Sequence, residues 1–137
     1  MIVLDTNVLS EEMRTAPEPK VHTWLQAQDP ATLFTTAVTE AELLYGVAVL
    51  PDGKRKTDLA TAAQRIMSLF AGRVLPFDSA AAAELPTVLV LRKQMGRPIG
   101  SHDAQIASVA RSRGMAVATR DVADFADCGV ALIDPWN

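Results

Sequence analysis

What most constrains this chain is its alternation. Short β-branched and apolar runs recur between helical stretches, with hardly a hairpin turn among them. Residues 1–4, 32–35, 73–77, 115–119 and 130–133 each suit a buried strand and are too short for a helix. Helices are expected over 8–14, 20–28, 37–50, 54–71, 79–94 and 101–113, with Pro17, Pro19, Pro30, Pro51 and Gly53 as punctuation. The 54–71 helix turns Leu59, Ala62, Ala63, Ile66, Leu69 and Phe70 inward and takes Gly72 as its C-terminal cap, as the 101–113 helix takes Gly114. Pro86 should kink or restart the 79–94 helix. Strands separated by helices are joined by crossovers rather than hairpins, so the class is α/β, with a central, mostly parallel sheet of about five short strands flanked by helices. At 137 residues, with no repeat and no linker, the chain is read as a single domain over 1–137.

Composition then removes several kinds of function. With 13 basic against 16 acidic residues the net charge is −3, so no basic footprint announces a nucleic-acid binder. A content of 49% hydrophobic residues excludes disorder. The single cysteine, Cys128, excludes an internal disulfide and a cysteine-based zinc site, and is read as a packing thiol. His22 and His102 lie too far apart in sequence to suggest a histidine metal site. Aromatics are only 5%, which leaves few rings for stacking on bases. No run approaches the ~18 apolar residues of a membrane span. The first residues lack a basic stretch and meet Asp5 at once, so no signal peptide is read and a soluble cytoplasmic protein is expected.

Four acids are candidates for a site, and two of them stand where a parallel sheet places its ligands, beyond the C-terminal ends of strands. Asp5 follows the first strand and Asp121 the fourth. Asp103 lies in the first turn of its helix, on the stripe of Ile106, Ala107 and Ala110, with Ser101, Gln105, Ser108 and Ser112 on the opposite, polar side. Glu42 shares a stripe with Val38, Tyr45 and Val49, although Glu40 has apolar neighbours too, in Leu43, Leu44 and Val47. Singly, each acid has a structural explanation. Asp5 suits an N-cap, Thr39 to Glu42 a capping box, Asp103 the helix dipole and Asp121 a turn. The Lys54-Arg55-Lys56 run reads as a solvated helix start or a partner contact, and Arg92, Lys93 and Arg97 read as a solvated helix end. Together, four carboxylates repel one another unless a cation intervenes. An all-oxygen set suits Mg²⁺ or Mn²⁺, which can activate water and neutralise charge on a phosphodiester.

These residues also resemble a known family. Ile2-Val3-Leu4-Asp5-Thr6-Asn7-Val8 resembles the opening of PIN-domain proteins, and Thr39-Glu40-Ala41-Glu42-Leu43 with Gly46-Val47 resembles their second acidic motif. Asp103-Ala104-Gln105-Ile106-Ala107 resembles the third, and Ala118-Thr119-Arg120-Asp121 with Asp124-Phe125 the fourth. Gly72 to Asp78 and Ile133-Asp134-Pro135-Trp136 resemble the FitB-like branch of VapC-type toxins. Essentially the whole chain is covered. Glu40 and His102 are departures that remove no required group.

The resemblance implies a PIN-domain-like fold and a Mg²⁺-dependent endoribonuclease, the toxin of a toxin–antitoxin pair, hydrolysing RNA with a metal-activated water. Asp5, Glu42, Asp103 and Asp121 would be its catalytic acids. Asp5 and Asp103 would touch the metal, Glu42 and Asp121 would act through waters or neighbouring groups, and Thr6, Asn7 and Thr119 would orient them. It further implies a small antitoxin partner, a homodimer, and DNA contact only through the antitoxin. A haloacid-dehalogenase phosphatase requires an acid where Asn7 stands, and a receiver domain requires a late lysine, but none follows Lys93. The remaining alternative is a catalytically silent module of the same fold that binds an antitoxin-like partner. The 37–50 helix, apolar almost all round, is expected to lend one side to a partner.

Overall fold

Ile2, Val3 and Leu4 form strand β1 (Ile2–Leu4), which lies at the middle of the sheet, paired on both sides. In the computed structural model, which describes residues 1–137, it is joined by β2 (Leu33–Thr36), β3 (Val74–Leu75), β4 (Ala116–Ala118) and β5 (Leu132–Ile133). The order is β3-β2-β1-β4-β5, and every neighbouring pair is parallel. Helices α1 (Thr6–Glu12), α2 (Pro19–Gln26), α3 (Ala37–Ala48), α4 (Lys54–Ser68), α5 (Ser79–Gln94), α6 (Ser101–Arg113) and the short α7 (Val122–Phe125) make the crossovers. From β1 the chain winds outward through β2 and β3, then returns to the other side of β1 for β4 and β5. The sheet order therefore reverses between β1 and β4, and a crevice opens above their C-terminal ends.

Side chains alternate across a strand, so neighbouring residues of β1 feed two cores. Val3 joins Val117, Ile106, Val109, Val88 and Phe125 on one face of the sheet. Leu4 joins Val8, Leu9, Val21, Leu33 and Phe70 on the other. No strand has a solvated face, which is why the strands read as continuous apolar runs.

The expected elements are all present; α5 and α6 keep the expected bounds, and other elements have one or both ends shifted. Helix α1 begins at Thr6 because the Asp5 side chain caps it, and α3 begins at Ala37 under a cap from Thr36, whose Oγ1 accepts the Thr39 N–H at 3.0 Å. The capping box expected from Thr39 to Glu42 therefore does not form. Helix α4 ends at Ser68; Leu69 is its C-cap and is 61% exposed, so it does not join the inward stripe. Gly72, with φ at +77°, serves the later turn into β3 instead of the cap. Gly114 does cap α6, in the left-handed conformation. Pro86 sits inside an unbroken α5, and the packing of α5 along α6 holds the helix through the missing N–H.

Two surfaces differ from the expectation. The polar side assigned to α6 is interrupted by Ser108, which is fully buried and donates its hydroxyl to the Ala104 carbonyl at 2.7 Å. That local bond satisfies the hydroxyl and lets α6 sink between α5, α3 and the sheet. Arg92 is no solvated helix end either. It is 3% exposed, and its Nη1 donates to the carbonyls of Ala123 at 3.0 Å and Ala126 at 2.8 Å, closing the end of α7. Lys93 and Arg97 remain exposed.

Candidate active site

Asp5 is the first residue beyond β1, and its backbone extends the ladder by donating to the Ala118 carbonyl at 2.9 Å. The side chain then has nowhere to go but the mouth of the crevice, where it is 3% exposed. Its Oδ1 accepts the Thr6 N–H at 2.7 Å, and its Oδ2 accepts the Thr119 hydroxyl at 2.8 Å. The N-cap role and the site role therefore coexist in one carboxylate. Thr119, just beyond β4, also accepts the Asp121 N–H on its Oγ1 at 3.0 Å. Asn7 spans the crevice, with its Nδ2 donating to Asp121 Oδ2 at 3.0 Å and its Oδ1 accepting the Arg120 N–H at 3.2 Å. On the other side, Thr6 Oγ1 donates to Glu42 Oε1 at 2.9 Å. His102 Nδ1 lies 3.7 Å from Glu42 Oε2. Asp103 projects from the first turn of α6 and accepts no hydrogen bond from any protein group.

All four expected acids line one cleft of about 470 Å³, together with Thr6 and Asn7, while Glu11, Arg14, Arg120 and Trp136 stand on its wall. No lysine or arginine forms an ion pair with any of the four. Burial pushes the Asp5 carboxyl up to about 6, against the hydrogen bonds from Thr119 and Thr6 that pull it down; the charges of Asp103 and Glu42 add to the rise. Burial likewise lifts Asp103 to about 6, with Glu42, Asp124 and Asp121 adding repulsion and His102 relieving some of it. Two carboxyls near 6 in one cleft mark a place where negative charge lacks a counterion.

That donor set fits a hard divalent cation, being all oxygen and uncompensated. No three of these groups already stand in a ligating arrangement. Mg²⁺ does not require one, because it keeps several waters and takes one or two carboxylates directly. The Tyr45 and Val49 stripe assigned to Glu42 is not buried with it: Tyr45 is 71% and Val49 58% exposed, and Leu44 on the same helix is exposed as well. The charge of Asp124, one helical turn beyond Asp121 and within the fourth motif, also bears on Asp103, although Asp124 does not line the cleft. Arg120 and Trp136 stand within the motifs too, but the resemblance assigns neither a role, and the structure sets both on the cleft wall.

Residues 2–129 match the PIN domain. The chain belongs to the PIN-domain family. Over 138 aligned positions it is 42% identical to the VapC ribonuclease Y4jK of Sinorhizobium fredii, an alignment covering 100% of this chain and 99% of that protein. It is 41% identical to Toxin FitB of Neisseria gonorrhoeae, with the same coverage. The structure of FitAB bound to the IR36 DNA fragment superposes with a TM-score of 0.93 at 40% identity, covering 100% of this chain and 96% of that one. In this PIN domain, as the fold requires, the acids come from four separate elements that meet only at the reversal point of the sheet.

Proposed function

We propose that this PIN-domain protein is a Mg²⁺-dependent endoribonuclease and the toxin of a type II toxin–antitoxin pair. The observation that carries the reading is the convergence of Asp5, Glu42, Asp103 and Asp121 in one cleft without a paired cation. Asp5 and Asp103 would hold the ion, with Mn²⁺ as a substitute, while Glu42 and Asp121 act through waters. When bound, the ion supplies a Lewis acid that activates water and neutralises charge on the scissile phosphate. The chain's own contribution is orientation. Thr119 and Thr6 fix the two oxygens of Asp5, Asn7 fixes Asp121, and the Thr6 hydroxyl fixes Glu42.

The relatives extend the reading to partners. One is named a ribonuclease, one a toxin, and FitAB is seen bound to DNA. For this chain we infer a small antitoxin, contact with DNA only through that antitoxin, and a homodimer in which the exposed Leu44, Tyr45 and Val49 of α3 meet a partner. No helix is long and apolar enough to cross a membrane, and a substrate of RNA suits a cytoplasmic site of action. The test is cleavage of RNA by the purified protein, abolished by EDTA, restored by Mg²⁺ or Mn²⁺, and lost in Asp5→Asn. A folded wild-type chain that neither binds Mn²⁺ nor cleaves RNA would instead be the catalytically silent module.

A further inference from the structure

Two arginines stand on the wall of the acidic cleft, and only one of them has a carboxylate partner. Arg14 Nη1 pairs with Glu11 Oε2 at 3.1 Å. Arg120 makes no ion pair, although Asp121 follows it directly in the chain. Its guanidinium carbon lies instead 5.5 Å from the centroid of the Trp136 ring.

The arrangement is built from the backbone outward. Asn7 holds the Arg120 N–H with one end of its amide and the Asp121 carboxylate with the other, so the acid beside Arg120 is already engaged. An exposed ion pair and an exposed cation–π contact are of similar small worth, so that clamp suffices to turn the guanidinium toward the ring. The ring itself is anchored. Trp136 packs against the core that contains Leu4 and Val8, and its backbone N–H donates to Asp134 Oδ1 at 2.9 Å, fixing the chain that carries the ring. The outcome is a guanidinium with no carboxylate partner and no side-chain hydrogen bond, held at the edge of a cleft whose floor is anionic.

A guanidinium on this wall suits a ligand that carries negative charge on both sides of the group placed over the acids. A phosphodiester chain is such a ligand, and Arg can grip a phosphate through two parallel N–H bonds. With a net charge of −3 and no basic stripe to follow a duplex, the chain offers one fixed contact rather than a track. We infer that Arg120, seated on Trp136, grips the phosphate next to the scissile bond in a single strand of RNA. This rests on the ribonuclease reading above.

The experiment compares Arg120→Gln, Arg120→Lys and the remote charge control Arg65→Gln on a single-stranded RNA, by steady-state cleavage. Binding of a labelled strand is followed in parallel by fluorescence anisotropy, with Asp5→Asn present in every protein so that the strand stays intact. Losing one charged hydrogen-bond pair should raise KM and Kd about tenfold in Arg120→Gln while kcat moves little. The slope of log affinity against log salt should fall by about 0.7, the value for one phosphate contact on a single strand. Arg120→Lys should keep the slope but bind less tightly than wild type, and Arg65→Gln should match wild type in both. If wild type cleaves and Arg120→Gln behaves as Arg65→Gln does, the clamp is wrong and the ribonuclease reading stands. If Arg120→Gln leaves RNA unaffected but weakens a protein partner's hold, the guanidinium serves that partner and the clamp is again overturned. If wild type neither binds nor cleaves RNA, both readings fall.

Discussion

Asp103 lacks any protein hydrogen bond to its carboxylate, whereas Asp5 has two, and the pair can therefore be separated by mutation. Asp103→Asn removes charge from a crowded cleft without breaking a bond, so the metal-free protein should melt higher at neutral pH; relief on the order of 1 kcal/mol corresponds to about 3–5 °C. The same variant should lose its gain in melting temperature on adding Mg²⁺. Because removing a group that merely supports a metal ligand costs about 10–100-fold, losing Asp103 should slow RNA cleavage more than about a hundredfold. Thermal melts with and without Mg²⁺, beside a cleavage assay, check all three. Asp5→Asn should match the loss of cleavage but gain less stability, since the Thr119 hydroxyl must turn around. The pH dependence has a definite sign. Both carboxyls sit near 6 in the folded chain and near 3.8 unfolded, so the folded state holds more protons between those values. Their contribution to metal-free stability is present below about pH 4 and lost as pH rises through 6. The rise in melting temperature caused by Mg²⁺ should accordingly be larger at pH 7.5 than at pH 5.5, and an equal rise at both would contradict the assignment. Asp5, Asp103 and Asp121 were legible in sequence because each follows a strand or begins a helix, whereas Glu42 lies inside α3 and was separated from Glu40 only by the family motif. That Thr6, Asn7 and Thr119 orient the acids came only through the family resemblance. Which of them meets which acid was not legible, since nothing in a one-dimensional string says that Asn7 faces Asp121.

Among the elements, α7 depends most on a single side chain. Arg92 reaches across from α5 to close the C-terminal end of this four-residue helix, which begins immediately after Asp121 and carries Asp124. Arg92→Met should leave the Ala123 and Ala126 carbonyls without a donor and cost about 2–4 kcal/mol. By the usual scaling that is a fall of about 6–15 °C in melting temperature. Arg92→Lys should recover part of it, and differential scanning calorimetry of the three proteins decides. An unchanged melting point would mean that water replaces the guanidinium. This role was hidden in the sequence, where Arg92-Lys93 looks like any basic helix end. A basic pair records its own charge but not the carbonyls it meets 31 and 34 residues later. Ser108 misled for the same reason in reverse. Its polarity suggested solvent, yet a bond to its own helix satisfies it and frees that side of α6 for packing. Element types and order were legible because alternation of strands and helices is local. The ends slipped by a few residues at particular caps, as at Thr6, where the Asp5 side chain starts α1 earlier than expected, and at Leu69, which closes α4 before residue 71.

At the scale of the molecule, α3 leaves Leu44, Tyr45 and Val49 uncovered while Val38 and Leu43 are buried. Light scattering at micromolar concentration should give a dimer, and Tyr45→Lys should shift it toward monomer with little loss of thermal stability, because that side chain is 71% exposed in one chain. A wild-type monomer would remove α3 as a self-association surface. The order of the sheet bears on how the protein comes into being. The strand carrying Asp5 is among the first parts of this sequence to be synthesised, yet its neighbour β4 begins only at Ala116. Until the ribosome has added that segment, β1 has an open edge, and Asp5 lacks both the Thr119 hydroxyl and the company of Asp121. Closing so long a loop is also slow compared with forming helices. On the proposed ribonuclease reading, a growing chain should be unable to cut the message it is read from, and cleavage should appear only once the distant β1–β4 pairing is made.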